Sequence, residues 1–102
     1  MIRHIVMWTL RGETAEDQKI ARARVKAGFE GLRGKIPGMR TIEIGSDVSG
    51  VDYACDVVLV SEFESREALD AYAHHPLHLL VREELGDLRT ARYQVDYLQE
   101  QP

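Results

Sequence analysis

One cysteine, three prolines and 7% aromatic residues leave this 102-residue chain short of the residue types that usually declare a protein's class. The lone Cys55 excludes an internal disulfide. With no His or Lys beside it in sequence, it reads as a small, semi-buried residue next to a strand. Positive charge is also scarce: 13 Lys and Arg face 17 Asp and Glu, interspersed rather than massed, for a net charge of -4. Neither a phosphate backbone nor an anionic bilayer meets a continuous basic surface, so nucleic acid and membrane are excluded as partners. No apolar run approaches the ~20 residues of a membrane span. The opening Met1–Trp8 segment is too short and polar-interrupted for a secretory signal, and a cytoplasmic location is expected. A glycine-rich phosphate loop is missing too, because Gly28, Gly31 and Gly34 fall within a helical pattern that no strand precedes. There is no repeat and no low-complexity stretch. What remains, at 44% hydrophobic residues, suits one compact domain over residues 1–102.

Histidine, by contrast, is concentrated. Three of the four histidines lie in His74-His75-Pro76-Leu77-His78, around a proline placed to start a helix. Imidazole is the side chain whose ordinary pKa lies nearest neutrality, so the cluster is the first candidate for proton transfer or metal binding. Pro76 interrupts any continuous helix through His74 and His78, and no cysteine or carboxylate stands at ligand spacing inside the cluster. No metal and no cofactor are therefore assigned.

Hydrophobic periodicity supplies the elements. Ile2 to Leu10 is rich in β-branched and aromatic residues, with Ile2, His4, Val6, Trp8 and Leu10 on one face of a strand and Arg3, Ile5, Met7 and Thr9 on the other. Thr14 opens a capping-box-like start, and the stripe Ala21, Val25, Phe29, Leu32, Ile36 predicts a helix running to the Pro37-Gly38 stop. Arg40 to Gly45 alternates as a half-buried strand, and Val57 to Phe63 forms an apolar third strand. Ser65 caps a short helix through Ala73. His75 or a neighbour caps another, with Pro76 in its first position and Leu77, Leu80, Val81, Leu85 and Leu88 along it. Ala91, Tyr93, Val95 and Tyr97 alternate with Arg92, Gln94 and Asp96 in a fourth strand.

This order, βαββααβ, predicts a ferredoxin-like α+β domain with a four-stranded antiparallel sheet and helices on one face. The first and third strands, apolar on both faces, belong at the centre, and the alternating second and fourth at the edges. Helices cover only one face. The other would expose Ile5 and Met7 beside Val58 and Val60, a patch that a soluble monomer rarely carries, so a second copy of the chain is the expected partner.

A set of short motifs, in order, resembles a known family. They are Ile2-Arg3-His4-Ile5-Val6, Ile36-Pro37-Gly38-Met39, Glu62-Phe63-Glu64-Ser65, Tyr72 before His75-Pro76-Leu77-His78, and Asp96-Tyr97. The chain resembles the stress-responsive dimeric α/β-barrel, or Dabb, family over nearly its whole length. That resemblance implies a homodimer whose two sheets face one another as a barrel. It also includes the plant polyketide cyclase that forms olivetolic acid by an intramolecular aldol condensation. By that likeness His78 takes the role of general base, Tyr72 polarises the substrate, and His4 lines the pocket. Val6 and Trp8, on the same strand face as His4, are placed in the pocket wall. An aromatic hydroxyl of the plant pocket falls at Phe29 and a tryptophan at Arg89, so these two positions line a different pocket.

In residue terms, His78 in the first turn of a helix sits at the positive end of the dipole, which disfavours imidazolium and keeps the ring available as a base. Tyr72 would donate to a developing enolate. The same residues also suit a plainer role, His75, Pro76 and His78 building a helix start and Tyr72 packing in the core. The expected activity is cofactor-independent proton transfer on a carbonyl or polyketide-like compound, with a small hydrophobic ligand as partner. The alternative is a non-catalytic stress-responsive dimer or small-ligand-binding protein. A substrate-sized cavity facing His78 favours the first, and a space filled by Trp8 and Phe29 favours the second.

Overall fold

A computed structural model describes residues 1–100. Seven elements follow the expected order: β1 Ile2–Leu10, α1 Ala15–Glu30, β2 Met39–Ser46, β3 Val57–Phe63, α2 Arg66–Ala73, α3 Pro76–Leu85 and β4 Arg89–Leu98. The sheet is antiparallel with strand order β2-β3-β1-β4, so the two strands that are apolar on both faces occupy the centre. No helix is long and apolar enough to cross a membrane among the described residues.

The helices pack on the face carrying His4, Val6, Trp8 and Leu10 of β1, Ile42 and Ile44 of β2, and Val57, Leu59 and Phe63 of β3. Ala21, Val25 and Phe29 of α1, Tyr72 of α2, and Val81 and Leu85 of α3 close this core. Each large apolar member contributes ~1.5–3 kcal/mol on burial. Asp56 ties three segments together. Its Oδ2 accepts from the Leu10 amide at 2.7 Å and its Oδ1 from Arg22 Nη2 at 3.3 Å, while Arg22 Nη1 reaches the Asp47 carbonyl at 3.0 Å. Cys55, in the loop that Asp56 ends, is half-buried and free.

One boundary differs from the sequence expectation. The first helix ends at Glu30 instead of running to Ile36. Gly31 caps it, and short-range bonds from Leu32, Arg33 and Lys35 to Phe29, Glu30 and Leu32 carry the chain through a tight turn. Gly34 adopts φ +79°, a left-handed conformation that helix-forming side chains resist. Leu32 and Ile36 are nevertheless buried, so the apolar stripe marks the core correctly and the helix wrongly.

Among the described residues, the opposite sheet face carries no helix. The strand register sets Ile5 beside Val60 and Val95, and Met7 beside Val58 and Tyr93. Met7, Tyr93 and Val95 are exposed, and a concavity of about 770 Å³ opens between this face and the loop bearing Asp52, Tyr53 and Cys55.

Candidate functional site

Two helix starts place the histidines. Ser65 caps α2, its Oγ accepting from the Ala68 amide at 3.1 Å, and Tyr72 lies on the buried side of that helix. After one turn the chain restarts at Pro76, with His75 as N-cap: its Nδ1 accepts from the Leu77 amide at 3.1 Å. His74 Nδ1 bonds instead to the Asp70 carbonyl at 3.1 Å. His78 turns inward. The three imidazoles thus hold separate environments, and no group of three metal-ligating side chains occurs among the described residues.

His78 Nδ1 lies 3.3 Å from the Ala73 carbonyl oxygen, which can only accept, so Nδ1 carries the proton and Nε2 keeps the lone pair. Burial, reinforced by the positive charges of Arg82, Arg89 and Arg92 and opposed by that carbonyl bond, holds the imidazole down at about 4. The Tyr72 ring centroid is 4.2 Å from that of His78. Desolvation pushes the Tyr72 hydroxyl up to about 12 against the opposing influence of Arg89 and Arg92. At neutral pH the pair is therefore a neutral base beside a neutral donor.

His4, buried on β1, faces Tyr72 at 6.2 Å between ring centroids and places its Nδ1 2.5 Å from Asp96 Oδ1 on β4. The other Asp96 oxygen accepts from Gln94 Nε2 at 3.0 Å, and Gln94 in turn accepts from Arg92. His4, Tyr72, His78, Arg92, Gln94 and Asp96 line one recess of about 160 Å³. It adjoins a groove of about 590 Å³ that shares Leu69, Asp70, Gln94 and Asp96.

Val6, Trp8, Phe29 and Arg89, also named from sequence as pocket residues, are not among the side chains that line this recess. Trp8 and Phe29 stack with centroids 5.1 Å apart and planes 17° off parallel, and the Arg89 guanidinium lies 5.0 Å from the Trp8 centroid and 5.6 Å from that of Phe29. Phe29 touches the site through His78, 6.3 Å away between centroids. Val6 is buried on β1 between His4 and Trp8. Sequence reasoning did not single out Arg92, Gln94 and Asp96 as recess lining. Their alternation in β4 is visible, but a polar strand face is ordinarily taken as solvated.

A family model for the stress responsive A/B barrel domain, Dabb, matches residues 2–99. The chain belongs to this family. The Dabb chain is similar to a dimeric ferredoxin-like protein of unknown function from Bacteroides fragilis, 30% identical over 94% of this chain and 93% of that one, with TM-score 0.82. It also shares its fold with a Dabb protein from Mesorhizobium loti (22% identity, 98% and 97% covered, TM-score 0.72) and with the hydroxynitrile lyase of Passiflora edulis (17%, 99% and 94%, 0.78). No curated protein matches the Dabb chain in sequence.

Proposed function

We propose that this Dabb protein is a homodimeric, cofactor-independent enzyme that uses His78 as general base on a small carbonyl compound. The observation that carries the reading is the tautomer of His78, whose proton is committed to Ala73 while Nε2 stays available in a recess shared with Tyr72 and His4. His78 Nε2 would remove a proton next to the carbonyl. The Tyr72 hydroxyl, kept protonated by burial, would donate to the enolate oxygen. His4, held by Asp96, would fix the wall against which the substrate rests.

The recess volume matches a benzene-sized guest, and a longer acyl chain of polyketide type would extend into the adjoining groove. The Passiflora edulis relative, named as a hydroxynitrile lyase, supports carbonyl chemistry on this scaffold. The dimeric Bacteroides fragilis relative, together with the uncovered apolar face, supports a homodimer.

A second reading, a non-catalytic stress-responsive dimer, draws support from the Trp8–Phe29–Arg89 stack, which packs side chains where a larger ligand pocket would lie. Substitution separates the two. If His78 and Tyr72 act on substrate, His78→Ala should lower kcat/KM about 10²–10⁴-fold and Tyr72→Phe about 10²–10³-fold in a screen of small aldehydes, ketones and cyanohydrins, with melting nearly unchanged. Loss of several kcal/mol of stability on His78→Ala, with no activity found in either protein, favours the structural role.

A further inference from the structure

Arg89 is the residue of this region that the proposed proton transfer leaves unused. Its position depends on a register shift. Trp8 pairs with Arg92 and Thr9 with Ala91, but Leu10 pairs with Arg89, so Thr90 is an extra residue in β4. Thr90 Oγ1 accordingly meets Thr9 Oγ1 at 2.8 Å on the open face, and Arg89 turns to the helix face. Bulges re-aim side chains in this way, and they recur beside functional sites.

The re-aimed guanidinium is half-buried over Trp8 and Phe29 and has no carboxylate partner among the described residues. Arg3, Arg11, Arg22 and Arg40 each do have one. Arg92, which lines the recess, bonds only the neutral Gln94 among those residues, and Arg82 stands one helical turn beyond His78 on α3. The positive charge of all three acts on His78, and that of Arg82 and Arg92 acts on Arg89 itself. Neither acid of the recess forms an ion pair with these arginines among the described residues: Asp96 bonds to His4 and Gln94, and Asp70 lies where the recess meets the groove. Arg82 and Arg92 are exposed, but a partly desolvated cation such as Arg89 without a counter-charge is costly, and an incoming anion removes that cost.

We propose that Arg89, assisted by Arg82 and Arg92, binds a carboxylate of the substrate, so that the site selects small oxo acids over neutral carbonyl compounds of the same shape. A planar guanidinium offers paired N–H groups to a planar carboxylate; Arg92 lines the recess of about 160 Å³, and Arg89 is linked to it through Phe29, which lies against His78. The carboxylate would also offset the arginine charges that add to burial in holding the His78 imidazole low, raising the base toward its working range as substrate arrives. This assignment of substrate class rests on the reading of His78 as base. The anion site itself is testable by binding alone.

Calorimetric titration of the full chain with acetoacetate and with its neutral isostere acetoacetamide gives the test. Acetoacetate is expected to bind about tenfold tighter or more, the preference shrinking as salt rises. Arg89→Leu should abolish the preference and Arg89→Lys should keep part of it. His78→Ala should keep it whole, and that variant separates the anion site from the catalytic reading. In NMR titrations, bound acetoacetate should raise the His78 midpoint while acetoacetamide leaves it in place. Equal affinity of the native protein for the two compounds overturns the proposal, whether or not Arg89→Leu folds. So does tighter binding of inorganic phosphate than of acetoacetate, which would make this a phosphate site.

Discussion

A half-buried histidine whose Nδ1–H donates to the Ala73 carbonyl, near the charges of three arginines, titrates unlike an imidazole in water. Activity that depends on neutral His78 should rise through about pH 4 and stay level across neutrality, without a midpoint at the ordinary 6.5. A pH–rate profile of kcat/KM for a neutral substrate checks it. Stability follows the same residue with a definite sign. Below 6.5 the unfolded chain takes up a proton that the folded recess refuses, so stability falls with pH until His78 protonates in the folded state near 4. Above 6.5 the residue contributes no slope. His78→Gln, which cannot titrate, should therefore lose less stability than the native protein between pH 7 and pH 5 in denaturant melts. An equal loss would show that the imidazole is not desolvated.

Among the elements, α3 divides the work of the histidine cluster. His75 holds the helix start and His78 faces the recess, although the two are three residues apart and chemically identical. His75→Ala should cost about 1 kcal/mol by losing the cap, while turnover is unchanged, the inverse of the outcome expected at His78. Thermal melts beside activity measurements decide between them. The strands and helix starts were legible because alternation and capping are local: Ile2–Leu10, Thr14, Ser65 and Pro76 fall where the sequence puts them. The end of α1 was not, because buried Leu32 and Ile36 continue a helical rhythm through a turn set by glycine conformation. Arg89 marks the sharper limit. Counting by twos back from Tyr93 puts residue 89 on the open face, and only the resemblance to a family pocket placed it in the site. The bulge at Thr90, which breaks the count, depends on pairing with Thr9 and leaves no mark in either strand's sequence. The Asp96 partner of His4 was hidden for a related reason, since a cross-strand contact between residues 4 and 96 has no local signal.

For the whole molecule, the uncovered sheet face sets the expected assembly. Val58→Asp, in the middle of the patch beside Met7, should drive the protein to a species near its 11.6 kDa chain mass in sedimentation velocity, with the fold retained by circular dichroism. A native protein that already sediments as a monomer at micromolar concentration would remove the argument for a dimer. β4 gives this assembly a further property. Its alternation sends Arg92, Gln94 and Asp96 into the recess and Tyr93, Val95 and Tyr97 onto the open face, so one backbone serves as wall to both. A thermodynamic cycle around such a strand must close. In a homodimer built on this face, whatever factor association adds to ligand affinity, the ligand would return to association, and occupancy of the recess would then depend on how concentrated the protein is.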